Sequence, residues 1–318
     1  MSLPPHRPII ERMDPTQSVD VSIVLPVFNE NGHIRDEISR IQAAMDATEH
    51  RYEIIVVNDG STDGSGDRLR EIGGIRLIQL PQNRGSGAAR RIGTQAARGS
   101  IVVWTDVDMS YPNDQIPALV KELDGSDQVV GARTTEEGSH KPFRLGAKWF
   151  IRRLAEYLSR TEIPDLNSGY RAFRRDVAMQ YLQMLPAGFS HVTTITMVFL
   201  ANGYSVKYVP IEYSKRSGQS KFHWYQDTKL YVLQVVRMIM MWNPLRVLGP
   251  IAAVILIVAA GKLMFDMIDK NYRVGTNTLL LFGAGFGVLL IGVLADLVVQ
   301  TTKPKQAVLP AAVRFDEA

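Results

Sequence analysis

SIVVWTDVDMS, residues 100–110, decides the fold class. Ile101 to Trp104 is apolar at every position and then breaks off into a turn carrying two carboxylates, Asp106 and Asp108. A short run with no polar face belongs to a strand covered on both sides, as in parallel sheets sandwiched by helices. The pattern recurs outward from there, in VSIVLPVFNE (21–30), YEIIVVNDGS (52–61), IRLIQL (75–80) and QVVGAR (128–133). Helical spacing fills the intervals, as at Ile34 to Met45 and Gly87 to Ala97. Alternation of this kind predicts an α/β domain with a mostly parallel sheet. Such sheets bind ligands beyond the carboxyl ends of their strands, which puts Asn29, Glu30, Asn58, Asp59, Asp106 and Asp108 at the candidate site.

The whole chain has 318 residues, 36 Lys+Arg against 32 Asp+Glu, no Cys and 46% hydrophobic residues. That balance excludes a collagen, a disulfide scaffold and a disordered acidic tail, and the missing Cys removes thiolate metal sites. A net charge of +4 is too small to argue for nucleic acid. The basic residues gather near the hydrophobic end, where anionic lipid is the expected partner.

That end holds two apolar runs. Val247 to Gly261, continued to Phe265, and Leu279 to Ala295, continued past Asp296 to Val299, are each just long enough to span a bilayer at about 1.5 Å per residue. A buried helix pair is the alternative. The short polar connector from Asp266 to Asn277 and the glycines 283, 285, 287 and 292 favour a membrane hairpin, at about 245–266 and 278–299. An even number of spans leaves the domain and the tail on one side. Lys229, Arg237, Arg246, Lys303 and Lys305 mark that side as cytoplasmic, against Lys262, Lys270 and Arg273 opposite. In the hairpin, Arg246 and Asp296 fall at one depth and either pair or snorkel separately to the headgroups. FHWYQDTKLYVLQVVRMIMMWN (222–243) reads as an amphipathic helix lying in the headgroup plane, or as one packed on the domain. Residues 1–18 are Pro-rich and polar, with no apolar signal core, and are expected to be a loose tail; 301–318 is expected to be a cytoplasmic tail.

Residues i and i+2 of an extended segment share a face, so Asp106 and Asp108 can converge on one hard divalent cation. Gly85-Ser-Gly-Ala-Ala-Arg90 resembles a dinucleotide fingerprint but fails it. Arg90 stands where the third Gly belongs, and Pro81 to Arg84 intervene after the strand. A helix N-terminus facing a diphosphate is the expectation that survives.

Taken in series, LPVFNE, VVNDGSTDGS, NRGSGAAR, TDVDMS, GAR, DLNSGYRAFRR (165–175) and GYSVKYVPIEYSKRSGQSKF (203–222) resemble the family 2 glycosyltransferases that load sugars onto polyprenyl phosphates. The resemblance covers about Val21 to Phe222. It implies a GT-A-type nucleotide-binding sheet over 19–222, a nucleoside-diphosphate sugar donor, a polyprenyl phosphate acceptor, Mg2+ or Mn2+, and inversion at the anomeric carbon. By match it implies that Pro26, Phe28, Glu30, Val57 and Asp59 hold the nucleoside, and that Asp106, Asp108 and Ser110 hold the metal. Arg133 and Arg216 would meet phosphates, and Ser168, Arg171 and Lys221 would complete the substrate set. Asp165 would orient the acceptor or act as a base.

Two departures stand out: Ser110 replaces a Gln found in several relatives as a metal ligand, and Asn58-Asp59 replaces a common Asp-Asp. The expected protein is thus a cytoplasm-facing catalytic domain on the bacterial inner membrane, with a homo-oligomer compatible. Two other readings share the sheet. A processive polysaccharide synthase should carry a Gln-x-x-Arg-Trp block and more spans, and neither is present. A non-catalytic adaptor would not need Asp106, Asp108 and Arg216 together.

Overall fold

The computed structural model describes residues 18–134, 161–188, 190–214, 243–269 and 273–302, with isolated positions 153, 156 and 240. The tails but for Ser18, Thr301 and Thr302, the candidate interfacial helix but for Met240 and Asn243, and the expected site residues Arg216 and Lys221 lie outside these described residues. The chain divides into two compact units, a sheet domain and a helical hairpin.

The strands are β1 (Val21–Val27), β2 (Tyr52–Asn58), β3 (Ile75–Gln79), β4 (Ile101–Trp104), β5 (Gln128–Arg133), β6 (Arg171–Arg174) and β7 (Val206–Ile211). They form one sheet in the order β3-β2-β1-β4-β6-β5-β7. β1 is parallel to β2 and to β4, β2 to β3, and β5 to β7. β6 alone runs antiparallel, wedged between β4 and β5. β1, β2 and β4 are almost entirely buried, as the apolar runs Ile23–Val27, Ile54–Val57 and Ile101–Trp104 require. The chain moves outward from β1 to β3 and then returns to place β4 on β1's other side. A crevice opens where strand order reverses, between the carboxyl ends of β1 and β4.

Helices cover the sheet: α1 (Ile34–Asp46), α2 (Ser65–Arg70), α3 (Ser86–Ala96), α4 (Ile116–Lys121), α5 (Arg175–Tyr181) and α6 (His191–Ala201). In α1, Ile34, Ile38, Ile41 and Met45 form the stripe that closes over the β1 and β2 side chains. α6 is buried from His191 to Phe199.

The second unit is α7 (Pro244–Asp269) against α8 (Thr276–Thr302). Both are long and apolar enough to cross a membrane, and little of their surface is covered: Ile257 is 70% exposed and Ile268 83%. A soluble core helix would hide such side chains, so the hairpin marks a membrane protein. Its seam is a heptad of small residues. Ala252, Ala259 and Asp266 are buried on α7, and Thr278, Gly285 and Gly292 on α8. A Cβ on Gly285 would come within 2.8 Å of Leu256 Cγ, so the glycine is what lets the helices close. Gly283 and Gly287, expected at the same contact, meet nothing within 4 Å. At the turn, Asp266 Oδ2 accepts from the Gly275 N–H at 2.9 Å and from Thr278 Oγ1 at 2.5 Å, capping the start of α8 from the other helix. The Arg246–Asp296 pair does not form. Asp296 takes its bond from Gln300 Nε2, one turn along its own helix, at 2.6 Å.

Candidate active site

The carboxyl edge of the sheet is built from two stitched loops. After β1, Asn29 adopts φ 55°, a left-handed conformation that Asn tolerates, and its Oδ1 accepts from the Thr62 N–H at 2.8 Å. The Asn29 and Glu30 amides donate to Ser61 and Ser65 hydroxyls of the loop after β2. Pro26, Phe28 and Glu30 are left half-exposed along this rim. Asp59 sits just inside it. Its two oxygens accept the Arg84 and Gly85 N–H groups at 2.7 and 2.8 Å, tying the loop before α3 to the end of β2. Asn58 donates to Gln79 Oε1 and accepts from the Ser61 N–H. An Asp there could not make the donor half of that exchange.

Past β4, Asp106 Oδ1 accepts from Arg90 Nη2 at 2.7 Å and keeps 34% of its side chain exposed. Asp108 is buried, and its Oδ1 accepts the Ser110 N–H at 3.1 Å and the Ser110 hydroxyl. Met109 between them holds φ 63°, a strained value for a long side chain. Beneath the turn, Asn113 Nδ2 donates to the Asp106 carbonyl and to Glu37 Oε1, while its Oδ1 accepts from Thr105. Burial, with the Asp108 charge adding, outweighs the Asn113 and Arg40 contacts and raises the Glu37 pKa.

Two all-oxygen donors at one turn suit a hard divalent cation that draws the rest of its shell from phosphate oxygens and water. Among the described residues no third His, Asp or Glu completes a protein-only metal cluster. Ser110, expected as a ligand, is instead the buried hydrogen-bond donor behind Asp108.

At the end of β5, Arg133 grips Asp165, with Nε to Oδ2 at 2.7 Å and Nη2 to Oδ1 at 3.0 Å. Tyr213 lies 5.3 Å from the same guanidinium, and its ring meets Tyr111 edge-on. Burial alone would raise the Asp165 pKa. The Arg133 bonds and charge, with the Asn167 and Arg133 amides, more than offset it and hold the carboxyl below its usual range. Asp165 is therefore a paired carboxylate and a weak base. Ser214 N–H donates to the Ser110 carbonyl at 3.0 Å, which brings the strand leaving β7 onto the Asp108 turn.

Four expectations are corrected. Val57 is fully buried beneath Gly93 of α3, so its side chain belongs to the core. Ser168 is fully buried, its hydroxyl accepting from the Tyr170 N–H. Arg171 is also fully buried, donating to the Val192 carbonyl, Thr196 Oγ1 and the Ser168 carbonyl. Burial and then the nearby Arg90 charge lower its pKa to about 10, and its role is to staple β6 to α6. The start of α3 does not face a diphosphate either. Gly87 and Ala88 donate to the Ala187 carbonyl, and a Cβ on Gly87 would strike Pro186. Sequence reasoning passed over Arg90, Asn113, Tyr111 and His191. The one available signal was Arg90 itself, the residue that broke the glycine fingerprint.

The sequence matches Glycosyl transferase family 2 over residues 22–182, half of the chain. The chain belongs to glycosyl transferase family 2. Among curated family 2 relatives, the dodecaprenyl-phosphate galacturonate synthase of Rhizobium johnstonii is 31% identical over 180 residues, 54% of this chain and 53% of its own. The undecaprenyl-phosphate 4-deoxy-4-formamido-L-arabinose transferase of Proteus mirabilis is 28% identical over 246 residues, 74% of this chain and 72% of its own. The match spans about half the length of the first of these relatives. Of solved structures, glucosyl-3-phosphoglycerate synthase from Mycobacterium tuberculosis, in complex with Mn2+, UDP-glucose and phosphoglyceric acid, is 21% identical. It aligns with a TM-score of 0.56 over 70% of this chain and 80% of that one, which shows a shared fold.

Proposed function

We propose that this family 2 protein transfers a sugar from a nucleoside diphosphate to a polyprenyl monophosphate at the membrane surface, with inversion at the anomeric carbon. The observation that carries the reading is the pairing, in one chain, of the Asp106–Asp108 turn at the strand-order reversal with an exposed apolar hairpin. The first needs a diphosphate donor, and the second keeps the protein where a lipid acceptor is found. Relatives named for polyprenyl-phosphate sugar transfer support it.

Pro26, Phe28, Glu30 and the Asp59-anchored loop would hold the nucleoside, and Asp106 and Asp108 would hold Mg2+ or Mn2+ with the donor diphosphate. Held there, such a cation would supply positive charge opposite the departing nucleoside diphosphate, and loss of one such electrostatic partner typically costs about 10² to 10³ in rate. The acceptor phosphate is already anionic near neutral pH, so its oxygen can attack the anomeric carbon while the bond to the diphosphate breaks. That relieves Asp165 of any need to act as a base. Its pairing with Arg133 fits an orienting role, with the guanidinium held by one edge towards the acceptor phosphate. Arg216 and Lys221, a few residues beyond the Ser214–Ser110 bond, would supply further phosphate contacts. The basic residues that flank the hairpin support a cytoplasmic catalytic domain.

The test is incubation of the purified chain with labelled UDP- and GDP-sugars and undecaprenyl phosphate. Chloroform-soluble, lipid-linked monosaccharide is the expected product. Polymer would favour a processive synthase, and no turnover with any donor would favour an adaptor. Arg216→Ala should lower kcat with a short-chain, water-dispersible acceptor, and Arg216→Lys should recover it only in part. An unchanged kcat would leave Arg216 a lipid-surface contact.

A further inference from the structure

The Asp106 carboxylate is held from behind by a chain of buried side chains that no strand-end motif contains. Arg90, on α3, is 3% exposed. Its Nη2 donates to Asp106 Oδ1 at 2.7 Å and to the Thr105 carbonyl at 3.4 Å, and its Nη1 lies 2.7 Å from His191 Nε2. His191 opens α6, is 1% exposed, and places Nδ1 2.8 Å from the Gly188 carbonyl.

Each nitrogen of this imidazole faces a partner of one kind. A carbonyl can only accept, so Nδ1 carries the hydrogen. A guanidinium can only donate, so Nε2 carries the lone pair. The ring is neutral and locked in one tautomer. Burial, and then the charge of Arg90, hold its pKa well below the ordinary His value, in agreement with that geometry.

A neutral acceptor is what this position needs. It aims the guanidinium without cancelling its charge, which stays available to Asp106. A carboxylate in its place would compete for the same donors. The surroundings leave Arg90 one place to be. Trp104 lies 5.6 Å beneath it, and a Cβ on Gly169 would fall 2.9 Å from Nη2 and 3.3 Å from Asp106 Oδ2. The glycine of the DLNSGYR block thus lets the main chain close over the pair. Of the three side chains only Asp106 reaches the rim.

We propose that His191 is a positioning residue that, through Arg90, fixes the Asp106 carboxylate in the orientation that receives the divalent cation of the donor diphosphate. The inference rests on the reading of Asp106 as a metal ligand given above. A carboxylate already anchored gives up little rotamer freedom when the cation arrives, and outer partners of metal ligands are typically worth about 10- to 100-fold in metal affinity.

The test is Mn2+ binding to the full-length chain in detergent, read from the free-ion electron paramagnetic resonance signal with UDP or GDP present. Binding of the nucleotide alone, without metal, is measured in parallel. His191→Ala should weaken Mn2+ about tenfold and leave metal-free nucleotide binding unchanged. His191→Gln, whose Oε1 can still accept from Arg90, should bind Mn2+ within about threefold of the parent chain. His191→Asn, which can keep the Gly188 contact but cannot reach Arg90, should bind as weakly as Ala. Parental Mn2+ affinity in a folded His191→Ala protein overturns the inference. Should that variant not fold, equal affinities for Gln and Asn overturn it. If the parent chain itself binds no Mn2+ with either diphosphate, the metal reading of Asp106 fails and takes the inference with it. Binding by the parent and all variants alike sinks the inference alone.

Discussion

Both ends of the sheet bury carboxylates, and they use them in opposite ways. At the amino ends, Glu53 of β2 accepts from Ser22 Oγ and the Arg98 N–H, each at 2.7 Å, and from Arg76 Nη1 at 3.3 Å. Its partners surround it and tie the turn after α3 to β1 and β2. At the carboxyl ends, Asp106 is held by Arg90 with 34% of its side chain exposed, Asp108 by Ser110, and Asp165 by Arg133 and the Asn167 amide, all beside the strand ends where the crevice opens. A carboxylate enclosed by donors is mortar between elements. One at a strand end with a third of its side chain exposed, as Asp106 is, stands where a ligand can reach it.

The contrast breaks most visibly at Asp108. Asp108→Asn should cut turnover by about 10² to 10³ or more with little change in melting temperature, because the amide keeps the shape and loses the charge. Full turnover of that variant with saturating metal would remove Asp108 from the site. Asp165→Asn tests whether a carboxyl-end pair also bears weight. At neutral pH it should cost about 2 to 3 kcal/mol, the usual loss for a broken buried pair discounted for the partial exposure of Arg133. The folded-state pKa of Asp165 is depressed, so its contribution is present above the unfolded value and is lost as pH falls through the folded one. The stability gap between wild type and Asp165→Asn should therefore be constant above about pH 4 and shrink below it.

Glu53→Gln sharpens the other side. One amide end must face the donors around it, so chemical unfolding should show a loss of about 1 to 2 kcal/mol while kcat stays at the parental value. A fall in kcat without loss of stability would erase the distinction between the two ends. The smallest effect concerns acid. His191 stays neutral in the fold, facing Arg90 with Arg171 nearby, whereas it can protonate when unfolded. Stability should decline by up to about 1.4 kcal/mol per pH unit once pH drops below about 6.5, and His191→Gln should flatten that slope.

Much of this architecture was legible beforehand for a simple reason. β1, β2 and β4 are buried on both faces, so Ile23–Val27, Ile54–Val57 and Ile101–Trp104 run apolar without interruption, and polar residues follow at once where they end. β6 was hidden because RAFR is short and half arginine, and because its block reads as a motif before it reads as a strand. Arg171 is bonded to α6, while Arg174 pairs with Asp176 of the helix that follows directly. Asp59, Asp106 and Asp108 could be placed at the crevice because strand ends fix them. Val57 shares a block with Asp59, and Ser168 and Arg171 share one with Asp165, but all three point inwards, a matter of side-chain direction that spacing does not carry. His191 had no motif at all, and its meaning depends on Arg90, about 100 residues earlier in the chain.

The antiparallel insertion of β6 also sets a timetable. β4 pairs with a strand about 70 residues further on, so at roughly 5 to 20 residues per second the ribosome delivers its partner on the order of 4 to 14 s later. The parallel half from β1 to β4 can assemble meanwhile, with one flank of β4 unpaired and apolar. Such an edge is a template for another nascent chain. Slower translation would lengthen that exposure, and synonymous codons between residues 105 and 170 are therefore the place where yield of soluble domain should respond to translation speed.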